Sequence, residues 1–251
     1  DHLMKIDIRN LSHIYNKTQE ETRAIDGLSF SMESGEFLAV VGPSGCGKST
    51  LLRLMAGLLH PTAGSILINS QLPEAAAAQK QISWMAQSPA LLPWYTVLRN
   101  VELARQVNPQ GHNGTTPKEL LVMMDLINYA DAYPHELSGG MQQRAALART
   151  LALNPKLWLM DEPFASLDAL TREELSREVL QLWQQFNPTV VWVTHNIHEA
   201  VLLADRVMVL SRRPAQIISH FPVSLTRPRS EAQPGYQTAV QRIRSDLRVL
   251  L

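Results

Sequence analysis

The chain has 251 residues, enough for one large α/β domain or two small ones. Lys plus Arg and Asp plus Glu number 23 each, a neutral balance that argues against wholesale nucleic-acid binding, and the single cysteine, Cys46, excludes a disulfide framework. A hydrophobic content of 45% suits a packed core, and no apolar run reaches the roughly 18 residues of a membrane-spanning helix.

No secretory signal opens the chain, and Met4 after Asp1-His2-Leu3 reads as the natural start. Residues 4–10 and 24–32 alternate apolar and polar side chains, as edge or hairpin strands do. Ser34-Gly35 turns the chain into Glu36–Val41, a short apolar strand. The run Gly42-Pro43-Ser44-Gly45-Cys46-Gly47-Lys48-Ser49-Thr50 follows and fits G-x-x-x-x-G-K-[ST], the phosphate-binding P-loop. Beyond it Leu51, Leu52, Leu54, Met55 and Leu58 recur at helical spacing. In this strand–loop–helix setting, successive N–H groups cradle an anion and the helix N-terminus adds positive charge. Lys48 is expected to reach the β- and γ-phosphates, and the Ser49 hydroxyl to ligate Mg²⁺.

Gly64–Asn69 and Ile82–Ala86 read as further strands, and Ala75–Ala78 as a helix start. From Thr96 to about Leu153 helical patterns alternate with Pro, Gly and Asn loops, notably Asn108–Pro117, which predicts a helical insert in an α/β core. Strand character returns at Leu157–Met160, Thr189–Thr194 and Val207–Leu210, continuous apolar runs of the buried parallel kind. Between the first two, a helix over about Asp168–Phe186 places Leu175, Val179, Leu182, Trp183 and Phe186 on one face, and Asn187-Pro188 ends it. After Ser211 the chain is basic and Pro-spotted, with Arg212, Arg213, Arg227 and Arg229, before a final helix over Tyr236–Leu251.

Leu157–Met160 runs into Asp161-Glu162. An acid at the carboxyl end of such a strand lies where open α/β sheets bind ligands. Downstream of a P-loop, Asp161 is expected to help hold Mg²⁺, often through water, and Glu162 to act as general base on the attacking water.

Leu137-Ser138-Gly139-Gly140-Met141-Gln142-Gln143-Arg144 resembles the signature of ATP-binding cassette (ABC) ATPases and lies upstream of Asp161-Glu162, in that family's order. Ser138 with the Gly139 and Gly140 amides opens a second helix N-terminus suited to an anion. The resemblance implies that this end caps the γ-phosphate bound to the opposite subunit, so that two chains close two ATP sites. It further implies that Tyr15 stacks on adenine, that Gln87 touches Mg²⁺ or the attacking water, that Ser166-Leu167-Asp168 crosses the dimer interface, and that His195 contacts the γ-phosphate. The implied fold is a P-loop NTPase (RecA-like) α/β core, residues 1–87 and 154–222, with an antiparallel β subdomain, an inserted helical subdomain at 88–153 and a short basic tail at 223–251.

Within the family, the stretch from Leu91-Leu92-Pro93-Trp94 through Asn100-Val101, the run Asp161–Ala169, Thr194–Ala200 and the tail segments Ser211-Arg212-Arg213-Pro214 and Arg227-Pro228-Arg229 are similar to importer ATPases for nitrate, taurine and alkanesulfonates. The resemblance therefore implies a homodimer on the cytoplasmic face of a membrane, engaging permease subunits and, through them, an extracytoplasmic solute-binding protein, with no nucleic-acid partner. An exporter or lipid-extracting ATPase, or a soluble non-transport ABC ATPase, is the alternative. The apolar, Pro-stiffened Ser88–Trp94 reads either as a groove for a permease helix or as internal packing. The basic tail reads either as a lipid-headgroup contact or as a solvated surface with snorkelled arginines.

Overall fold

The computed structural model describes residues 4–17, 20–108 and 115–248. Asp1–Leu3, much of the Asn108–Pro117 loop and the last residues of the expected terminal helix lie outside them. Two sheets carry the chain. The smaller is antiparallel, in the order β2-β1-β4, from β1 (Ile6–Lys17), β2 (Glu20–Met32) and β4 (Ala63–Ile68). The larger has the order β5-β6-β7-β3-β8-β9, from β3 (Phe37–Val41), β5 (Ile82–Met85), β6 (Leu157–Asp161), β7 (Thr189–Thr194), β8 (Arg206–Leu210) and β9 (Ile217–Pro222). Its pairs are parallel except β8 with β9.

Alternate residues of the central strands feed two separate cores, which is why these strands read as unbroken apolar runs. Phe37, Ala39, Val41, Trp158, Met160, Val190 and Trp192 face one side. There they meet α5 (Gly139–Leu151), α6 (Ala169–Phe186), α7 (Ile197–Leu203) and α8 (Tyr236–Arg248). Leu38, Val40, Leu157, Leu159, Val191 and Val193 face the other side, against α1 (Lys48–Met55) and the small sheet.

The helical insert comprises α3 (Val97–Val107), α4 (Pro117–Met123) and α5, and local chemistry starts each helix. Thr96 accepts from Arg99 N, Thr116 and Glu119 form a capping box, and Ser138 accepts from Met141 N. Buried Asn100 fastens the preceding loop: its Oδ1 accepts from Leu92 N (2.8 Å) while its Nδ2 donates to the carbonyls of Leu92, Tyr95 and Thr96.

Several elements depart from the sequence reading. β1 and β2 are longer than 4–10 and 24–32, with register shifts that carry the pairing past the break in alternation at Asn10. Ala75–Ala78 lies within a short α2 (Pro73–Ala78). Leu58 falls after α1 has ended and is exposed. β9 is an edge strand inside the Pro-spotted segment, tolerated because its Pro222 stands at the strand end.

The tail differs most. Arg212 and Arg213 are exposed, but Arg229 is buried and donates to the carbonyls of Leu225, Val201, Ala204 and Val223 at 2.6–3.1 Å. Arg227 pairs with Asp205 (2.5 Å), donates to Leu203 O and lies 4.5 Å from the Trp183 ring centroid. These two arginines bolt the tail to the end of α7, and Tyr236, Val240 and Ile243 of α8 complete the core.

Candidate functional site

The carboxyl ends of β3, β5, β6 and β7 converge on one edge of the large sheet, and the candidate residues sit there. Two P-loop glycines are required by geometry. Gly47 has φ +127° and a Cβ there would stand 2.7 Å from Ala24 O; Gly45 has φ +73°. A cleft of about 340 Å³ is lined by Ser44, Gly45, Gly47–Thr50, Gln87, Asp161, Glu162 and Arg213. A larger cleft, about 510 Å³, lies between α6, α7 and the tail, away from this convergence.

Lys48 is buried and folded back over the loop. Its Nζ donates to Gly42 O (2.8 Å) and Pro43 O (3.0 Å) and stands 3.6 Å from a Glu162 carboxylate oxygen. Ser49 Oγ donates to Asp161 Oδ1 (2.9 Å). Burial raises the Asp161 carboxyl above the usual range, against the Ser49 hydrogen bond, which lowers it. Glu162 has φ +46°, a conformation a non-glycine residue holds only when its surroundings enforce it. Its other oxygen lies 2.9 Å from His195 Nδ1. Here the surroundings include the bond from Glu162 N to Val193 O on β7.

A hydroxyl and a carboxylate sharing one hydrogen bond, with a phosphate-sized cleft beside them, are the hard oxygen set that Mg²⁺ takes together with substrate phosphates. Among the described residues no cluster of three or more His, Cys, Asp or Glu forms an all-protein metal cage. The residues therefore fit an ion held partly by the nucleotide.

Other candidates are placed around this centre. Tyr15 Oη is 3.3 Å from Thr50 Oγ1, which brings the ring to the rim of the P-loop helix. Gln87 lines the cleft, and its carbonyl accepts from Gln143 Nε2 of α5 (3.1 Å), joining the rim to the helix that Ser138 opens. Ser138, Gly139 and Gly140 at the start of α5, and Asp168 at the start of α6, do not line the cleft. Asp168 is occupied as an N-cap, and the Thr171 amide and hydroxyl hold its carboxyl below the usual range. Cys46, Gly42 and Pro43 do not line it either. The Cys46 thiol is buried beneath the loop, 3.0 Å from the point where a Gly42 Cβ would stand, and burial pushes its pKa up.

The sequence reading placed Arg213 in the basic tail and not at the phosphate cleft, and gave no role to the Arg172–Glu199 pair. Arg172 donates to the carbonyls of Phe164 and Leu167 and lies 3.7 Å from buried Glu199, which accepts from Thr194 Oγ1 and Trp192 Nε1. That chain links the segment before Asp168 to β7, the strand that precedes His195. No spacing in the sequence marks either feature, because each depends on loops that meet only in the folded sheet.

A model of the ABC transporter family matches residues 25–165. The nitrate import ATP-binding protein NrtD of Synechocystis sp. is 40% identical over 237 residues, covering 94% of this chain and 88% of its own. The bicarbonate transport ATP-binding protein CmpD of Synechococcus elongatus is 38% identical, covering 91% and 85%. The aliphatic sulfonates import ATP-binding protein SsuB of Bacillus thuringiensis subsp. konkukian is 35% identical, covering 93% and 92%. Among solved structures, a dimeric post-hydrolysis ATP-binding cassette bound to ADP and Pi superposes with a TM-score of 0.77 at 29% identity, covering 88% of this chain and all of that one. With its P-loop, its acid pair at the end of β6 and this architecture, the chain belongs to the ABC transporter family as an ATP-binding, ATP-hydrolysing subunit of a transporter.

Proposed function

We propose that this subunit powers an importer for a small oxyanionic solute, of the nitrate, sulfonate or taurine kind, by dimerising around two Mg-ATP molecules on the cytoplasmic face of a membrane. The observation that carries the import reading is full-length similarity to subunits named for nitrate, bicarbonate and sulfonate transport. No helix among the described residues is long and apolar enough to cross a membrane. Separate permease subunits would supply the path for solute. An extracytoplasmic binding protein would deliver the solute to them.

The hydrolytic roles rest on geometry. The P-loop amides and Lys48 bind the phosphates, Lys48 exchanging the Gly42 and Pro43 carbonyls for phosphate oxygens. Ser49 and Asp161 would hold Mg²⁺, with Gln87 beside it, and the ion when bound neutralises charge on the β- and γ-oxygens. Glu162 takes a proton from water as its oxygen attacks the γ-phosphorus and the bond to the ADP oxygen breaks. His195 orients Glu162 through Nδ1, and its Nε2 is then available to the γ-phosphate. Ser138, Gly139 and Gly140 lie outside their own cleft, which accords with their capping the γ-phosphate of a partner copy, and Asp168 with meeting that copy across the interface. Tyr15 packs on the adenine.

Glu162→Gln tests the two-chain site. The variant should lose at least 100-fold in turnover yet accumulate as an ATP-bound dimer on a sizing column. A variant that stays monomeric at saturating Mg-ATP would refute the shared site. Purifying the tagged subunit from native membranes tests the import reading: a polytopic subunit with a solute-binding protein is expected, and only soluble partners would overturn it.

A further inference from the structure

Arg213 stands on the loop between β8 and β9, outside the residues that match the family model, and yet lines the phosphate cleft. Its Nη2 donates to Gly45 O at the P-loop (3.0 Å), and no carboxylate among the described residues pairs with it. The other cation of the cleft, Lys48, already faces Glu162. The cleft thus holds two carboxylates, Asp161 and Glu162, one buried ammonium and one guanidinium without a counter-charge. A guanidinium presents five donors in a planar fork suited to phosphate, and a carbonyl oxygen uses only part of that capacity.

The loop that carries it is built to hold position. Ser211 Oγ donates to Pro214 O and accepts from Gln216 N, and Ser211 N donates to Gln216 O. Ala215 N donates to Ala24 O and Asp26 N to Ala215 O, which straps the loop to β2. The Ala215 methyl sits 3.2 Å from the place a Gly47 Cβ would occupy, so loop and P-loop are packed together. The long Arg213 side chain is exposed.

We infer that Arg213 is a second phosphate-binding cation of this site, leaving Gly45 O to take phosphate oxygens of the bound nucleotide. The inference rests on the nucleotide occupying the P-loop cleft. It extends the site to a segment about 165 residues downstream of the P-loop and makes the β8–β9 loop a contributor to affinity.

The test uses the full chain with a fluorescent non-hydrolysable ATP analogue and inorganic tripolyphosphate as competitor. Arg213→Ala should weaken both ligands about tenfold, the scale of a charge-assisted hydrogen bond. Arg213→Gln, which keeps a donor for Gly45 O but no charge, should be as weak as Arg213→Ala, and Arg213→Lys should recover part of the loss. The advantage of the parent protein over Arg213→Ala should shrink as salt rises. Wild-type affinity in Arg213→Gln would show that only the carbonyl contact matters and would overturn the inference. So would wild-type affinity in Arg213→Ala while Lys48→Ala binds poorly, a result that leaves the P-loop reading intact. Wild-type affinity in both Arg213→Ala and Lys48→Ala would overturn the two together.

Discussion

Replacing Arg229 by Ala should destabilise the fold without touching the nucleotide. The side chain is 6% exposed, and burial together with the nearby Arg227 pushes its pKa down to about 10, still far above neutrality, so it is charged. It holds four carbonyls: Val201 and Ala204 at the end of α7, and Val223 and Leu225 in the tail. Removal leaves these acceptors in a pocket that water enters only partly. A single orphaned buried acceptor costs about 1–3 kcal/mol, but two of the four lie at a helix end that can fray toward solvent, so the losses do not add. A net loss of about 3 kcal/mol follows, near the lower end for a disrupted buried ionic network. For a chain of this size about 1 kcal/mol shifts the melting temperature by roughly 2–4 °C, giving a fall of roughly 6–12 °C. Thermal unfolding of the nucleotide-free protein, followed by circular dichroism, would measure it. Arg212→Ala, at an exposed neighbour on the β8–β9 loop, is the control and should stay within about 0.5 kcal/mol. Equal melting temperatures for the two variants would refute the view that the tail is bolted on by buried arginine.

Asp161→Asn should raise the melting temperature of the nucleotide-free protein while abolishing Mg-dependent nucleotide hydrolysis, because the native state carries a desolvated carboxylate there. This carboxyl's pKa is higher folded than unfolded, so its destabilising contribution builds up as pH rises from the unfolded value to the folded one and is complete above it. The gain from Asp161→Asn should therefore be larger above the folded value than below the unfolded one, and a gain that shrinks as pH rises in pH-dependent melts would contradict the assignment. Cys46 is buried and its thiol pKa is raised by burial, so an aromatic disulfide reagent should label it slowly until the chain unfolds. Prompt labelling of the native protein would show that the loop opens.

What was legible in the sequence had short-range causes. β3 with its P-loop, α6 from Asp168 to Asn187, and β7 are written in contiguous residues: an apolar run, glycines at left-handed positions, an N-cap and an Asn in left-handed conformation at the helix end. Asp161, Glu162 and His195 were read at the carboxyl ends of strands, where β6 and β7 carry them, but the contacts of Ser49 with Asp161 and of Glu162 with His195 appear only in the fold. The tail was not legible. Arg227 and Arg229 look like solvated surface in composition, and only the exposed carbonyl end of α7, brought back over them by the chain, makes burial favourable. Arg213 and the Arg172–Glu199 pair were hidden for the same reason, since their partners lie far away along the chain or across a turn.

The position of β3 between β7 and β8 has a consequence for how the molecule comes together. The P-loop hangs from a strand whose two neighbours are made about 150 and 170 residues later, so Leu38 meets Val191 and Arg206 only once those segments have been made. Non-local parallel pairing of this kind is slow, because loop-closure entropy is lost before contacts form. Until it is complete there is a glycine loop but no Glu162, His195 or Arg213 beside it. Nucleotide that binds the finished site stabilises that state by mass action. Bound ATP would in that way favour the assembled sheet as well as supply the reaction.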